Sequence, residues 1–286
     1  MSDLIIYENV EGIAKIWLNR PERENAISRR LFLAFDAALD KALKDRSVRV
    51  IIIEGKGPRF CAGFDVSDPE ACLKANEDGV VDWEDRRENT QEEIDLWMKM
   101  LNSRKPIICG IHGSVVGGGC AIALCADVLV AAEGTELDNS EFALGMSWTN
   151  YMPLDAWKMP MNIAKEKAFT GYPITCEEGI RYGLFNRVVP QEKVDAACMK
   201  IARRMLKLAP YTLTIHKEVY NTIYDLQGMK NIIPYTKEIF SIGLNLPGTK
   251  ENEEMWGVAH DQGPEAMIEA FQKKLKELRA EEEAEL

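Results

Sequence analysis

The chain has 286 residues, 46% of them apolar, and a formal net charge of −11. That length admits one large domain or two small ones. The acidic balance argues against nucleic acid or an anionic membrane as partner, and no segment approaches the ~20 apolar residues of a membrane span.

Residues 4–18 alternate into two short strands with a turn at Glu11-Gly12. A charged loop over 19–25 follows. Ser28 stands as N-cap to a helix over 29–44, with Leu31, Phe35, Ala38 and Leu39 on one face. Residues 48–54 form a continuous apolar run, the mark of a buried strand. Residues 69–103 are polar and mostly helical, ending in an amphipathic stretch where Trp97 joins Ile94 and Leu101. A strand over 106–111, a helix over 117–126 and a strand over 127–131 come next. Strand and helix therefore alternate, which predicts an α/β fold built from repeated crossovers. From residue 191 the pattern is helical: 194–208, 212–226, 232–245 and 264–283. The expected division is a core over 1–190 and a helical region over 191–286.

Seven scattered cysteines form no CxxC pair, and Met1-Ser2-Asp3-Leu4 lacks the features of a signal peptide. Both point to a cytoplasmic protein with reduced thiols. His112, His216 and His260 are not spaced as metal ligands, so no metal is expected.

Two glycine-rich segments follow apolar strands: Phe60-Cys61-Ala62-Gly63-Phe64-Asp65, and His112-Gly113-Ser114-Val115-Val116-Gly117-Gly118-Gly119-Cys120. Each offers backbone N–H groups where a strand ends, and the second leads directly into an apolar helix. Two convergent sets of such donors make an oxyanion hole. The simpler alternative is that the glycines only permit tight turns.

These segments, with Leu18-Asn19-Arg20-Pro21-Glu22, Asn25-Ala26, Lys105-Pro106-Ile107, Cys125-Ala126-Asp127, Phe169-Thr170-Gly171 and Gly183-Leu184-Phe185-Asn186-Arg187-Val188-Val189, resemble the crotonase (enoyl-CoA hydratase/isomerase) superfamily. The resemblance covers residues 4–275. It implies a ββα spiral with a C-terminal helical trimerisation region, and an acyl-CoA ligand whose enolate is held by two backbone amides. By position these are the amides of Phe64 and Gly118. Coenzyme A enters as part of the substrate, with no separate cofactor.

Hydratases of the family carry two glutamates. Here the first position is Ala121 and the second is Glu141, so one acid/base remains. With one glutamate the family offers water addition, with or without C–C cleavage, or double-bond isomerisation. Hydrolysis of a β-dicarbonyl, cyclic or CoA-linked, is a further alternative, and a non-enzymatic scaffold is another. A glycine-rich stretch usual after the glutamate is replaced by Gly145-Met146-Ser147-Trp148-Thr149-Asn150-Tyr151. Trp148, Thr149, Asn150 and Tyr151 are therefore candidate pocket residues for an oxygenated or cyclic acyl group; the aromatics would serve equally as core packing. Dehalogenases of the family place a nucleophilic aspartate where Thr149 stands. His112 is a candidate pocket residue or a structural hydrogen-bonder, and Asp138 a second carboxylate or a strand-end turn residue. Ala62, Arg23 and Lys273 are candidate coenzyme A contacts, with Arg20 as a further cation. The family implies a homotrimer or homohexamer.

Overall fold

The computed structural model describes residues 3–65, 67–68, 83–138 and 153–243, with helical positions 250, 266, 269–270, 273–278 and 280. Strands β1 (Ile5–Val10) and β2 (Ile13–Leu18) form a hairpin whose turn uses Glu11 and Gly12 at positive φ. Helix α1 (Arg29–Lys44) follows, capped by the Ser28 hydroxyl, which accepts from the Leu31 amide. Then come β3 (Val50–Gly55), α2 (Trp83–Leu101), β4 (Ile107–Ile111), β5 (Ser114–Val116), α3 (Gly118–Cys125), β6 (Val128–Ala132) and β7 (Glu136–Asp138). Short helices α4 (Asp155–Lys158), α5 (Met161–Thr170) and α6 (Cys176–Arg181) precede β8 (Arg187–Val189). Helices α7 (Val194–Met205), α8 (Pro210–Leu226) and α9 (Met229–Gly243) complete the labelled elements.

The main sheet runs β1-β2-β3-β4-β6-β8, antiparallel only between β1 and β2. Helical crossovers between parallel strands bury both sheet faces. Strand parity divides the apolar residues accordingly. Ile51, Ile53, Ile107, Cys109 and Ile111 pack with Leu31, Phe35 and Leu39 of α1 and Ile94, Trp97 and Met100 of α2. Val50, Ile52, Ile108 and Val130 pack with Val194, Cys198, Met199 and Ala202 of α7. Each fully buried isoleucine contributes roughly 1.5–3 kcal/mol of transfer free energy. A second, two-stranded sheet pairs β5 with β7.

Glu54 shares the α7 side of β3 with Val50 and Ile52. It is 6% exposed, and its Oε2 has no hydrogen-bond partner. Gly110 of β4 makes room there: a Cβ would lie 2.8 Å from Val194 Cγ1, 3.0 Å from Cys198 Sγ and 3.1 Å from Glu54 Cγ. Burial first, and then the neighbouring Asp195 carboxylate, push the Glu54 carboxyl up to about 7 against the pull of Lys15. Lys15 is paired with Asp195 and stacks over the Trp17 ring at 4.4 Å.

At the opposite end of the strands, the buried Lys217 ammonium of α8 lies 2.7 Å from the Asp127 carboxylate. It also donates to the Met100 and Lys105 carbonyls at 3.3 Å. Asp127 in turn accepts from the Ile107 amide at 2.7 Å. One ammonium thus ties α8 to the end of α2, the start of β4 and the turn into β6. The other side of α8 leaves Tyr211, Ile215, Val219, Tyr220, Ile223 and Leu226 exposed at three-to-four-residue spacing, Leu226 at 84%.

The helix at 29–44 and the strand–helix alternation through 132 stand as the sequence predicts, residues 69–82 of the expected helical stretch lying outside the described residues. The second glycine segment does not run straight from strand to helix. β5 intervenes, and α3 opens at Gly118. Three-residue strands carry no usable alternation; β5 exists because its partner β7 is near.

Candidate active site

The site is built where β3 and β4 end, and Asn25 is its peg. This residue is fully buried at φ 59°. Its Nδ2 donates to the carbonyls of Lys56, Arg59 and Phe60 at 2.7, 2.9 and 3.0 Å, and its Oδ1 accepts from the Arg20 amide at 2.8 Å. The segment after β3 is thereby tied to the loop before α1. Ile27 then pairs with Phe64 like a strand: the Ile27 amide donates to Gly63 O at 2.7 Å, and the Asp65 amide to Ile27 O at 3.0 Å. Arg20 closes this junction with a 2.5 Å contact to the Asp65 carboxylate. Burial works to raise the Asp65 carboxyl, yet hydrogen bonds from Ser67 and Arg20 hold it below the usual carboxylate value. Arg20 thus spends its Nη1 on the fold, donating to the Ala26 carbonyl and the Asp65 carboxylate.

The second loop is knitted to the first. The Phe60 amide donates to His112 O at 2.8 Å, and the Val116 amide to Cys61 O at 3.1 Å. Glycine is required at this approach, since a Cβ on Gly119 would stand 2.8 Å from Cys61 Cβ. Gly63 has φ +90°, and Gly117 has φ 47° with ψ −114°, conformations that side chains rarely allow. Each turns the peptide that follows, and those peptides carry the amides of Phe64 and Gly118. Among the described residues neither amide has an acceptor. Gly118 is also the first residue of α3, so its N–H has no intrahelical partner. The two positions are in contact, a Cβ at Gly118 falling 3.0 Å from the Phe64 ring. Two uncommitted N–H groups on rigidly joined loops can stabilise a developing oxyanion.

Around them, Ala121 occupies the first turn of α3 and brings no titratable group. Asp138 ends β7, is 4% exposed, and accepts from Ser114 Oγ at 2.9 Å. His112 is 8% exposed, with Nε2 2.9 Å from Gly57 O. Burial lowers its pKa against that hydrogen bond, so at neutral pH the imidazole is uncharged and donates its Nε2 proton to the carbonyl. Its ordering role for the 57–60 turn is the one the hydrogen bond defines. Ala62 is half-buried, its amide bonded to Glu24 O at 3.0 Å. Arg23 is exposed in the 3-10 turn 21–23, and Lys273 is exposed beside Glu277 at 3.9 Å. Glu141, Trp148, Thr149, Asn150 and Tyr151 lie outside the described residues. Beside Phe64 opens a shallow, solvent-open groove, bordered by Ile27, Ser28, Arg29, Phe32, Asn89 and Glu93.

Sequence reasoning missed the Asn25 peg and the Arg20–Asp65 link. Asn25 was visible as a landmark, but nothing local announces its three carbonyl partners.

The family model for enoyl-CoA hydratase/isomerase matches residues 8–257. The chain belongs to that family. A Mycobacterium tuberculosis protein named as an enoyl-CoA hydratase, EchA13, is 30% identical over 249 residues, covering 79% of this chain and 76% of that protein. A crotonyl-CoA hydratase of Syntrophomonas wolfei is 29% identical over 224 residues, covering 76% and 81%. The crystal structure of an enoyl-CoA hydratase/isomerase from Xanthobacter autotrophicus Py2 superposes with a TM-score of 0.83 at 28% identity, over 95% of this chain and 98% of that one. The mixed sheet and its helical layers are thus the crotonase fold.

Proposed function

We propose that this enzyme adds water across the double bond of an enoyl-CoA thioester. The amides of Phe64 and Gly118 hold the thioester oxygen as negative charge moves onto it. Glu141 takes a proton from water as the oxygen attacks Cβ, then returns a proton to Cα of the enolate. The observation that carries this reading is the pair of unaccepted amides following Gly63 and Gly117. One such donor is worth roughly 10²–10³ in rate. Ala121 leaves a single carboxylate for both proton transfers, so a hydratase-lyase sequence, in which the hydrated thioester then breaks a C–C bond, belongs to the same proposal. The same residue favours a second reading. Isomerisation needs one proton carrier alone, and hydrolysis of a β-dicarbonyl would use the same hole for its leaving enolate.

Coenzyme A is assigned to Ala62, Arg23 and Lys273, supported by the exposure of both cations. The exposed stripe on α8 supports a homotrimer or homohexamer.

The test is a mass-spectrometric turnover screen over enoyl-, aryl- and oxo-acyl-CoAs plus free cyclic diketones, with Glu141→Gln alongside. Gain of one water that disappears in the variant supports hydration, and a shortened thioester with a carbonyl fragment supports lyase action. Altered ultraviolet absorbance at constant mass identifies an isomerase. No change with any compound refutes the enzymatic reading.

A further inference from the structure

The groove beside Phe64 combines an apolar body with uncommitted polarity. Ile27, Phe32 and Phe64 supply the apolar surface. Of its charged borders, Arg29 is paired with Glu92 and lies over the Phe32 ring at 5.8 Å, and Glu93 is engaged elsewhere. Ser28 Oγ accepts from the Leu31 amide at 3.2 Å, which leaves its O–H proton to donate. Asn89 lies one α2 turn before Glu93, and its carboxamide makes no hydrogen bond among the described residues. A carboxamide has two donors and an acceptor, and one left idle in a partly apolar groove is matched by a ligand that supplies the partner.

Resting on the enoyl-CoA reading above, we infer that this groove receives the acyl group and that Asn89 selects acyl groups ending in an oxygen function. The thioester carbonyl sits at the Phe64 amide, the apolar body of the acyl group lies along Ile27 and the two phenylalanines, and its distal hydroxyl meets Asn89, with Ser28 as second donor. Asn89 is then a specificity residue that touches substrate away from the reacting carbons. A single neutral hydrogen bond formed in a groove shifts affinity by about tenfold.

The experiment is calorimetric binding of phenylpropanoyl-CoA and its para-hydroxyphenyl counterpart, saturated thioesters that cannot be hydrated. Wild-type protein binds the hydroxylated thioester about tenfold tighter, and Asn89→Leu brings the ratio to about one. Asn89→Asp keeps the preference, because the carboxylate accepts the phenolic proton. Glu88→Gln, at an exposed neighbour, keeps the wild-type ratio. Asn89→Ala, with its high helix propensity, serves if the leucine variant does not fold. A wild-type ratio near one, or a ratio unchanged in Asn89→Leu, overturns the role of Asn89 and leaves the enoyl-CoA reading standing. Failure of wild-type protein to bind either thioester likewise overturns the role of Asn89, while the enoyl-CoA reading stands or falls on the turnover screen.

Discussion

Replacing Glu54 by glutamine tests the electrostatics of the layer between the sheet and α7. The carboxyl is 6% exposed with an orphan Oε2, and Asp195 crowds it. The folded protein therefore holds the Glu54 proton up to about pH 7, whereas the unfolded chain releases it near the ordinary 4.5. The folded state binds more protons between these values, so this group's contribution to stability falls as pH rises through that window and is level above it. Moving the group from 4.5 to about 7 corresponds to on the order of 3 kcal/mol. Glutamine has nearly the same shape and no charge, and it can still donate to Asp195. The variant should match wild type near pH 4.5 and exceed it by on the order of 3 kcal/mol at pH 8. Urea unfolding at fixed protein concentration, across pH 4.5 to 8, measures the difference. Contributions from distant titrating groups cancel between the two proteins, so the pH-dependent difference reports Glu54 together with the Asp195 and Lys15 coupled to it. A stability difference that stays constant across the range refutes the reasoning, as does a variant that is less stable at pH 8.

Gly117→Ala forces a side chain onto φ 47° and ψ −114°, costing roughly 1–3 kcal/mol or turning the Gly118 amide away. Steady-state kinetics on the best substrate from the screen should show kcat lower by ~10²–10³. Lys217→Met removes the ammonium that ties Asp127 to the Met100 and Lys105 carbonyls; with Asp127 partly open to water, stability in the same urea assay should fall by about 1–3 kcal/mol. Asp65→Asn frees Arg20 and loosens the Phe64 loop; kcat/KM should drop with little change in helix content by circular dichroism. Leu226→Lys together with Tyr220→Lys places charge on the α8 stripe, and sedimentation should show a smaller species if that stripe joins subunits.

Much of the frame is legible from local chemistry. The Ser28 cap and the 3.6-residue spacing of Leu31, Phe35 and Leu39 define α1 without tertiary information. The continuous apolar run of β3 declares a strand buried on both faces. Thr175 and Glu178 carry the pattern of the capping box that opens α6. The strands β5 and β7 are too short to announce themselves, since pairing across the fold makes them. Of the site, the two glycine segments are visible because positive φ demands glycine. The Arg20–Asp65 pair spans 45 residues, and no spacing rule joins partners so far apart. The idle carboxamide of Asn89 reads in the sequence as one polar helix residue among many.

Glycine 110 has a consequence for how the sheet finds its alignment. A strand slipped by one residue exchanges its faces. In β3 and β4 both faces are apolar, so such a slip would leave nearly as much hydrocarbon covered, and burial is a weak judge of register. Glu54 and Gly110 are not interchangeable with their neighbours. Slipping β4 would put a side chain under Val194 and Cys198, where a Cβ has 2.8 to 3.0 Å. Slipping β3 would carry Glu54 to the face away from Lys15. Helix α7 therefore acts as a gauge laid across the finished strands: it seats over one alignment and rejects the others, which remain uncapped and open to aggregation.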